Sequence, residues 1–184
     1  MNSADFQKQT NWIVITGAPS SGKTSVIDEL TRRGYHAQPE AARMWIENTL
    51  QSGLSLQEIN KDIAAKQNGI IQTGLALHAA IPTDRLTFMD RGIPDSISYL
   101  RLAGINTAEA HKSAMIYHYR AVFIFDRLPI VQDEVRNESD EVAANLDALL
   151  EQDYRALGYS PIRVPVMPVA KRADFMLKTL GIVP

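Results

Sequence analysis

Cysteine is absent from the 184 residues, which excludes disulfide bridges and zinc sites built on thiolates. We expect a cytoplasmic protein, because a reducing compartment suits such a chain. No apolar run approaches the roughly 18 residues of a membrane-spanning helix, and the polar start MNSADFQKQTN lacks the apolar core of a signal peptide. The net charge of −2 provides no basic surplus for nucleic acid or anionic lipid. We therefore expect neither a nucleic-acid nor a membrane partner.

Short β-rich runs alternate with helical patterns along the whole chain, and no linker interrupts them. Apolar residues make up 45% of the sequence, enough for one complete core, so residues 1–184 are predicted to form a single domain. The alternation predicts a three-layer α/β fold with a parallel sheet between covering helices. The predicted strands are residues 12–16, 35–38, 86–89, 121–125 and 162–164.

The predicted helices fill the intervals between these strands. Ser55-Leu-Gln-Glu58 is a capping-box pattern, which predicts the start of one long helix running on through Ile63 and Ile71. Other helices are expected from the glycine-rich stretch to Gly34, around residues 40–50, and over residues 94–103, 107–118, 139–157 and 168–180. Residues 127–138 are polar and are predicted to form a loop.

The stretch GAPSSGKT at residues 17–24 matches G-x-x-x-x-G-K-[ST] at every fixed position, and it lies between a predicted strand and a predicted helix. Glycines let backbone N–H groups turn inward and form a nest for phosphate oxygens, and the positive end of the following helix adds to the attraction. In this motif the lysine contacts the β and γ phosphates, while the threonine hydroxyl ligates Mg²⁺. The predicted nucleotide-binding residues are Gly17, Ala18, Pro19, Ser20, Ser21, Gly22, Lys23, Thr24 and Ser25.

Asp90 follows the apolar run Leu86–Met89, at the end of the third predicted strand. Ligands of open α/β sheets bind at the carboxyl ends of strands, so this carboxylate is expected to hold Mg²⁺ together with Thr24. A helix-capping aspartate is the alternative interpretation. Arg91 is either a contact to a phosphate or substrate oxygen or the partner of an acid at the surface.

Glu40 and Arg43 follow the second predicted strand. A carboxylate at that position is suited to accept the proton of an attacking hydroxyl, and Arg43 lies one helical turn further on, where it is suited to hold an anionic group. The alternative is that Glu40 only begins a helix, a position that favours acidic residues.

The polar loop contains Arg127 and Arg136. Transfer of a phosphoryl group is accelerated by a cation that closes over the transferred group, and a mobile loop suits that task. We predict a lid at about residues 127–138 with Arg136 as its catalytic arginine; solvated loop arginines are the alternative.

Four stretches together resemble a known family: GAPSSGKT, PEAARMWI, FMDRGIPDSISYL and VPVMPVAKRADFML. In order and spacing the chain is similar to the P-loop family of AAA-type ATP-binding proteins related to the ribosylnicotinamide kinase domain, from about Trp12 to Leu180. The resemblance implies a five-stranded parallel sheet ordered 2-3-1-4-5 and Mg-ATP as phosphoryl donor. It places Glu40 and Arg43 in a substrate-side motif within a helical region at about residues 40–80, Asp90 and Arg91 at the Walker B position, and Arg136 in the lid.

Three functions are compatible with these residues. The leading hypothesis is a kinase that transfers the γ-phosphate of Mg-ATP to the hydroxyl of a nucleoside-like small molecule, with Lys23, Glu40, Asp90 and Arg136 as catalytic residues. The second is a regulatory ATPase or GTPase switch. The third is a nucleoside-monophosphate kinase in which Arg43 and Arg91 hold the phosphate of the acceptor.

Overall fold

The structure is a computed structural model that describes residues 6–128 and 137–182. The strands in this part of the chain are β1 (Lys8–Gln9), β2 (Trp12–Thr16), β3 (His36–Gln38), β4 (Thr87–Asp90), β5 (Tyr117–His118), β6 (Ala121–Phe125) and β7 (Ile162–Val164). The helices are α1 (Lys23–Arg32), α2 (Ala41–Gln51), α3 (Leu56–Lys61), α4 (Ile63–Ala79), α5 (Asp95–Leu102), α6 (Ala108–Ala114), α7 (Asn137–Ala156) and α8 (Val169–Thr179).

The main sheet contains five strands in the order β3-β4-β2-β6-β7, and each neighbouring pair is parallel. Counted along the five strands predicted from the sequence, this is the order 2-3-1-4-5. The predicted α/β class and strand order are therefore confirmed. The strands at residues 12–16, 121–125 and 162–164 have the predicted bounds.

Hydrophobic side chains fill both faces of this sheet, because successive residues of a strand point to opposite sides. Val14 and Ile124 belong to the cluster that contains residues of α4, α5, α6 and α7. Ile13 and Phe123 belong to the other cluster, with residues of α1 and α8. The outcome is a helix–sheet–helix arrangement in which the carboxyl ends of β2, β3 and β4 lie at one edge, where the site is built.

The long helix predicted from Ser55 is interrupted at Asp62, so that prediction was wrong. The capping box itself is present: the Ser55 hydroxyl accepts from the Glu58 N–H, and Glu58 accepts from the Ser55 N–H. Asp62 then leaves the helical conformation, with φ −117° and ψ 87°, and its carboxylate accepts the Ala65 N–H at 2.8 Å. A short polar side chain that competes for backbone N–H groups ends α3 and begins α4 at one residue.

The helix predicted over residues 107–118 ends at Ala114 instead. Tyr117 and His118 form β5, which pairs in parallel with β1 in a separate two-stranded sheet. A two-residue strand is too short to produce a periodic pattern, so neither partner could be predicted from the sequence. Within the described residues, no helix combines the length and apolar character needed to cross a bilayer.

Candidate functional site

The glycine-rich stretch connects β2 to α1 and has the backbone geometry of a nest. Gly17 and Gly22 have φ values of +139° and +85°, which a side chain would strain. A Cβ at Gly17 would also lie 2.8 Å from the backbone oxygen of Phe125, at the end of the neighbouring strand β6. The loop therefore needs glycine at Gly17 both for its conformation and for its close approach to the sheet.

Lys23 is buried within the loop that it belongs to. Its Nζ donates to the carbonyl oxygens of Gly17 and Ala18 at 3.1 and 2.9 Å, and to Ser21 Oγ at 3.2 Å. Burial, together with the nearby charge of Arg91, lowers the pKa of this amine to about 8, although the charges of Asp90, Asp95 and Glu40 oppose the shift. The ammonium thus occupies the space enclosed by the loop, where it is close to any anion that binds there.

A cavity of about 400 Å³ extends from the loop across the carboxyl ends of β3 and β4 to α2 and α4. It brings together residues that the sequence places far apart. The sequence-predicted residues that line it are Pro19, Ser20, Lys23, Thr24, Glu40, Arg43, Asp90 and Arg91. Gly17, Ala18, Ser21, Gly22 and Ser25 belong to the loop without lining the cavity.

Asp90 is buried at the end of β4, facing the cavity. Burial raises the pKa of its carboxyl group to about 6; the negative Glu40 adds to this, and Arg91 and Lys23 oppose it. Thr24, in the first turn of α1, lines the same cavity. A hydroxyl and a carboxylate are hard oxygen ligands of the kind that Mg²⁺ prefers. The described residues contain no cluster of three or more His, Cys, Asp or Glu side chains suited to a metal.

Arg91 is held between two carboxylates. Its Nε donates to Glu40 Oε1 and its Nη1 to Asp95 Oδ2, both at 2.8 Å. The side chain is only 12% exposed, so the acid pairing considered from the sequence exists, but in the interior rather than at the surface. With φ +68°, Arg91 is also one of two non-glycine residues with a positive φ in the described chain. Its two ion pairs fix this strained residue at the wall of the cavity.

Asp95 is a central residue of the site that the sequence did not reveal. Its Oδ2 accepts the Thr16 hydroxyl at 2.6 Å as well as Arg91, and its Oδ1 accepts the Tyr154 hydroxyl at 2.7 Å. These hydrogen bonds connect the end of β2 to α7 through one side chain. In the sequence Asp95 has the ordinary position of an acidic residue in the first turn of a helix, which gave no signal of this role.

The wall opposite the loop combines apolar residues with amides. Ile46 and Ile70 form part of it, and Gln38 and Gln67 are buried there. Among residues 6–128 and 137–182, Gln38 Oε1 has no hydrogen-bond partner. Arg43 lies at the rim with its side chain exposed. This wall offers both apolar area and unused polar groups to a small molecule.

The predicted lid can be described only in part. Arg136 and most of the segment 127–138 lie outside the described residues, so the role of Arg136 stays a prediction. Arg127 is described, and it forms an ion pair with Asp140 of α7.

Arg172 also escaped assignment, although it ends the VPVMPVAKR stretch. It is 2% exposed in α8, and its Nη1 donates to the carbonyl oxygen of Ser21 in the phosphate loop at 2.6 Å. The partners are distant in sequence, so no local pattern could indicate the contact.

Residues 12–172 match the AAA domain family. The chain belongs to this family. The resemblance inferred from the four stretches is therefore confirmed. No curated protein matches the chain.

Solved structures share the fold of this AAA domain at low sequence identity. Thymidylate kinase from Ehrlichia chaffeensis has a TM-score of 0.67 at 14% identity, over 94% of this chain and 99% of that one. The NadR protein in complex with NR has a TM-score of 0.65 at 14% identity, over 95% of this chain and 52% of NadR, so the chain spans about half of that protein. Deoxyadenosine kinase from M. mycoides has a TM-score of 0.63 at 13% identity, with 92% and 98% covered.

Proposed function

We propose that this protein is a kinase that transfers the γ-phosphate of Mg-ATP to the hydroxyl of a nucleoside-like small molecule. One observation supports it above all. The Glu40 carboxylate lines the same cavity as the phosphate loop, and Arg91 binds one of its oxygens at 2.8 Å. A proton acceptor and a phosphate nest thus share one enclosed space.

The phosphate loop is the proposed donor site. Its inward N–H groups and the positive end of α1 would bind the phosphate oxygens, and Lys23 would exchange its three loop contacts for contacts to the β and γ phosphates. Thr24 and Asp90 would hold Mg²⁺, which neutralises charge on the phosphates when bound. The oxygen character of both ligands supports this assignment.

Glu40 is the proposed general base. With Oε1 bound to Arg91, its second oxygen remains available to accept the proton of an acceptor hydroxyl as the γ-phosphorus is attacked in line. Arg91, held in turn by Asp95, acts as the positioning residue that keeps this carboxylate directed toward the cavity.

The state of Arg91 favours an unphosphorylated acceptor over a monophosphate. The charge of its guanidinium is already matched by two carboxylates, Glu40 and Asp95, which would repel an acceptor phosphate at that position. Of the two arginines considered for that role, Arg43 lies at the exposed rim and has no ion pair within the described residues. The likeness in fold to deoxyadenosine kinase supports a nucleoside-like acceptor, and that to thymidylate kinase keeps the monophosphate as the second candidate.

The test measures ADP release from Mg-ATP in the presence of nucleosides, ribosylnicotinamide or nucleoside monophosphates, for the wild type and Glu40→Gln. We expect one nucleoside-like compound to raise release strongly, and Glu40→Gln to lower that stimulated rate by about 10²- to 10⁴-fold, because general-base catalysis contributes that much. Mg-ATP affinity should be retained in this variant.

Glu47→Gln is the matched control, since Glu47 lies exposed on α2 and does not line the cavity. Lys23→Ala provides the blank. Release that stays equally low with every compound would contradict the kinase and favour the nucleotide-dependent switch. Stimulation by monophosphates alone would favour the monophosphate kinase.

A further inference from the structure

Arg172 presents an unusual combination of burial and few hydrogen bonds. Its side chain is 2% exposed, yet within the described residues its guanidinium makes one hydrogen bond, from Nη1 to the Ser21 carbonyl oxygen. Nε and Nη2 are buried and have no hydrogen-bond partner in the part of the chain that the structure describes. The guanidinium carbon lies 5.2 Å from the centre of the Phe125 ring, whose face it covers.

Burial of such a cation costs desolvation free energy. Burial lowers the pKa of Arg172, with partial opposition from the charge of Asp126, which shows that the environment disfavours the cation. A buried cation with few hydrogen bonds is a poor source of stability, because the loss of hydration exceeds what one bond returns. Its one hydrogen bond within the described residues is therefore the best indication of what it does.

That contact fixes the orientation of one peptide unit of the phosphate loop. The peptide group is planar and trans, so the carbonyl of Ser21 and the N–H of Gly22 point in opposite directions. Arg172 binds the carbonyl from the α8 side and does not line the cavity. The Gly22 N–H consequently points away from the carbonyl oxygen that Arg172 binds.

We propose that Arg172 is a positioning residue for phosphate binding: it pins the Ser21–Gly22 peptide so that the Gly22 N–H is presented to the bound phosphate. The inference rests on the proposed binding of nucleotide at the loop. Gly22 has the positive φ of +85° that this peptide orientation requires, and a Cβ there would lie 3.1 Å from Arg172 Nη1. Loop and arginine are thus fitted closely to each other.

The test compares two probes, Mg-ATP and inorganic tripolyphosphate, by calorimetric titration of the full chain. We expect Arg172→Met to weaken both by about tenfold, since an unfixed peptide must be ordered when the anion binds. Arg172→Lys should recover part of this loss, because its ammonium can still donate to the Ser21 carbonyl oxygen. Equal losses for both probes distinguish phosphate positioning from a contact to the nucleoside.

Arg33→Met is the matched control. Arg33 also connects α1 to α8, through Asp174 at 2.7 Å and the carbonyl oxygen of Ala170 at 3.2 Å, but it does not contact the loop. We expect it to lower the thermal midpoint while leaving both affinities unchanged. If Arg172→Met does not fold, Arg172→Gln carries the same expectation, because its shorter side chain does not reach Ser21.

Three results would overturn the inference. Unchanged affinity for both probes would mean that the loop orients itself without Arg172. A loss for Mg-ATP alone would assign the side chain to the nucleoside part of the ligand. If the wild type binds neither probe, the proposed nucleotide site is wrong and the inference is wrong with it. If the wild type binds, and Lys23→Ala abolishes binding while Arg172→Met does not affect it, only the inference is contradicted.

Discussion

His78 lies at the inner end of the cavity and is kept neutral by its surroundings. Its Nε2 is 3.0 Å from the Tyr119 hydroxyl oxygen, which itself accepts the Ile93 N–H at 3.1 Å. Which of the two groups donates in this hydrogen bond depends on the tautomer of the imidazole. Burial lowers the pKa of His78 to about 4 from its ordinary 6.5.

This residue makes the protein less stable at acidic pH. Between about pH 6.5 and 4 the unfolded chain binds a proton at His78 and the folded chain does not, so the free energy of unfolding falls as the pH falls. The full loss is about 3 kcal/mol. We expect His78→Gln to remove this loss. In urea unfolding at pH 7, 5.5 and 4.5, the free energy of unfolding of the variant should increase relative to that of the wild type as the pH falls.

Asp90 changes the pH dependence of the free energy of unfolding in the opposite direction to His78. Its pKa is raised to about 6 in the folded state from 3.8, so the folded chain binds the extra proton and stability increases as the pH falls through 6. The free energy of unfolding of Asp90→Asn should therefore decrease relative to that of the wild type as the pH is lowered over the same range. Parallel stability curves for the wild type and both variants would contradict this assignment of the two buried groups.

At the scale of the elements, the packing of α2 against α4 depends on a glycine of α4. None of its residues is fully buried, and its Trp45 indole lies over Gly69 of α4, where a Cβ would come within 2.1 Å of Nε1. Gly74, also on α4, would place a Cβ 2.7 Å from the terminal methyl of Ile93.

These two glycines form a matched pair for substitution. Each Gly→Ala change gains about 1 kcal/mol of helix propensity. At Gly74 the flexible end of Ile93 can move aside, so we expect Gly74→Ala to be close to neutral. At Gly69 the rigid indole of Trp45 cannot move aside. We expect Gly69→Ala to lower the free energy of unfolding in urea by about 1–3 kcal/mol, and the fluorescence of Trp45 to show increased exposure. Equal effects at both positions would contradict this packing account.

Local patterns predicted most of these elements, because strands and helices are encoded by neighbouring residues. The strands and the phosphate loop follow from apolar runs and one motif, and the order of the strands followed from the resemblance to the family. The interruption at Asp62 was missed because the apolar spacing continues across it while a side chain–backbone hydrogen bond ends α3. Asp95 and Arg172 were missed for another reason: their partners Tyr154 and Ser21 are brought to them only by tertiary structure.

At the scale of the whole molecule, ligand binding should stabilise the domain cooperatively. Mg-ATP at 100 times its dissociation constant would add about 2.7 kcal/mol to the free energy of unfolding. For a chain of this size that corresponds to an increase of about 5–10 °C in the thermal midpoint. Lys23→Ala should abolish the increase, and an equal increase in that variant would place the nucleotide elsewhere.

The order of strands in the sheet has a consequence for how the protein is made. β2 lies between β4 and β6, so a strand that leaves the ribosome early must wait for residues 87–90 and 121–125 to be synthesised before either edge is covered. The peptide at Ser21 waits longer still, until Arg172 has emerged. A nascent chain with its phosphate-loop sequence already complete would therefore lack the scaffold that shapes it, and such long waiting times favour protection by chaperones during translation.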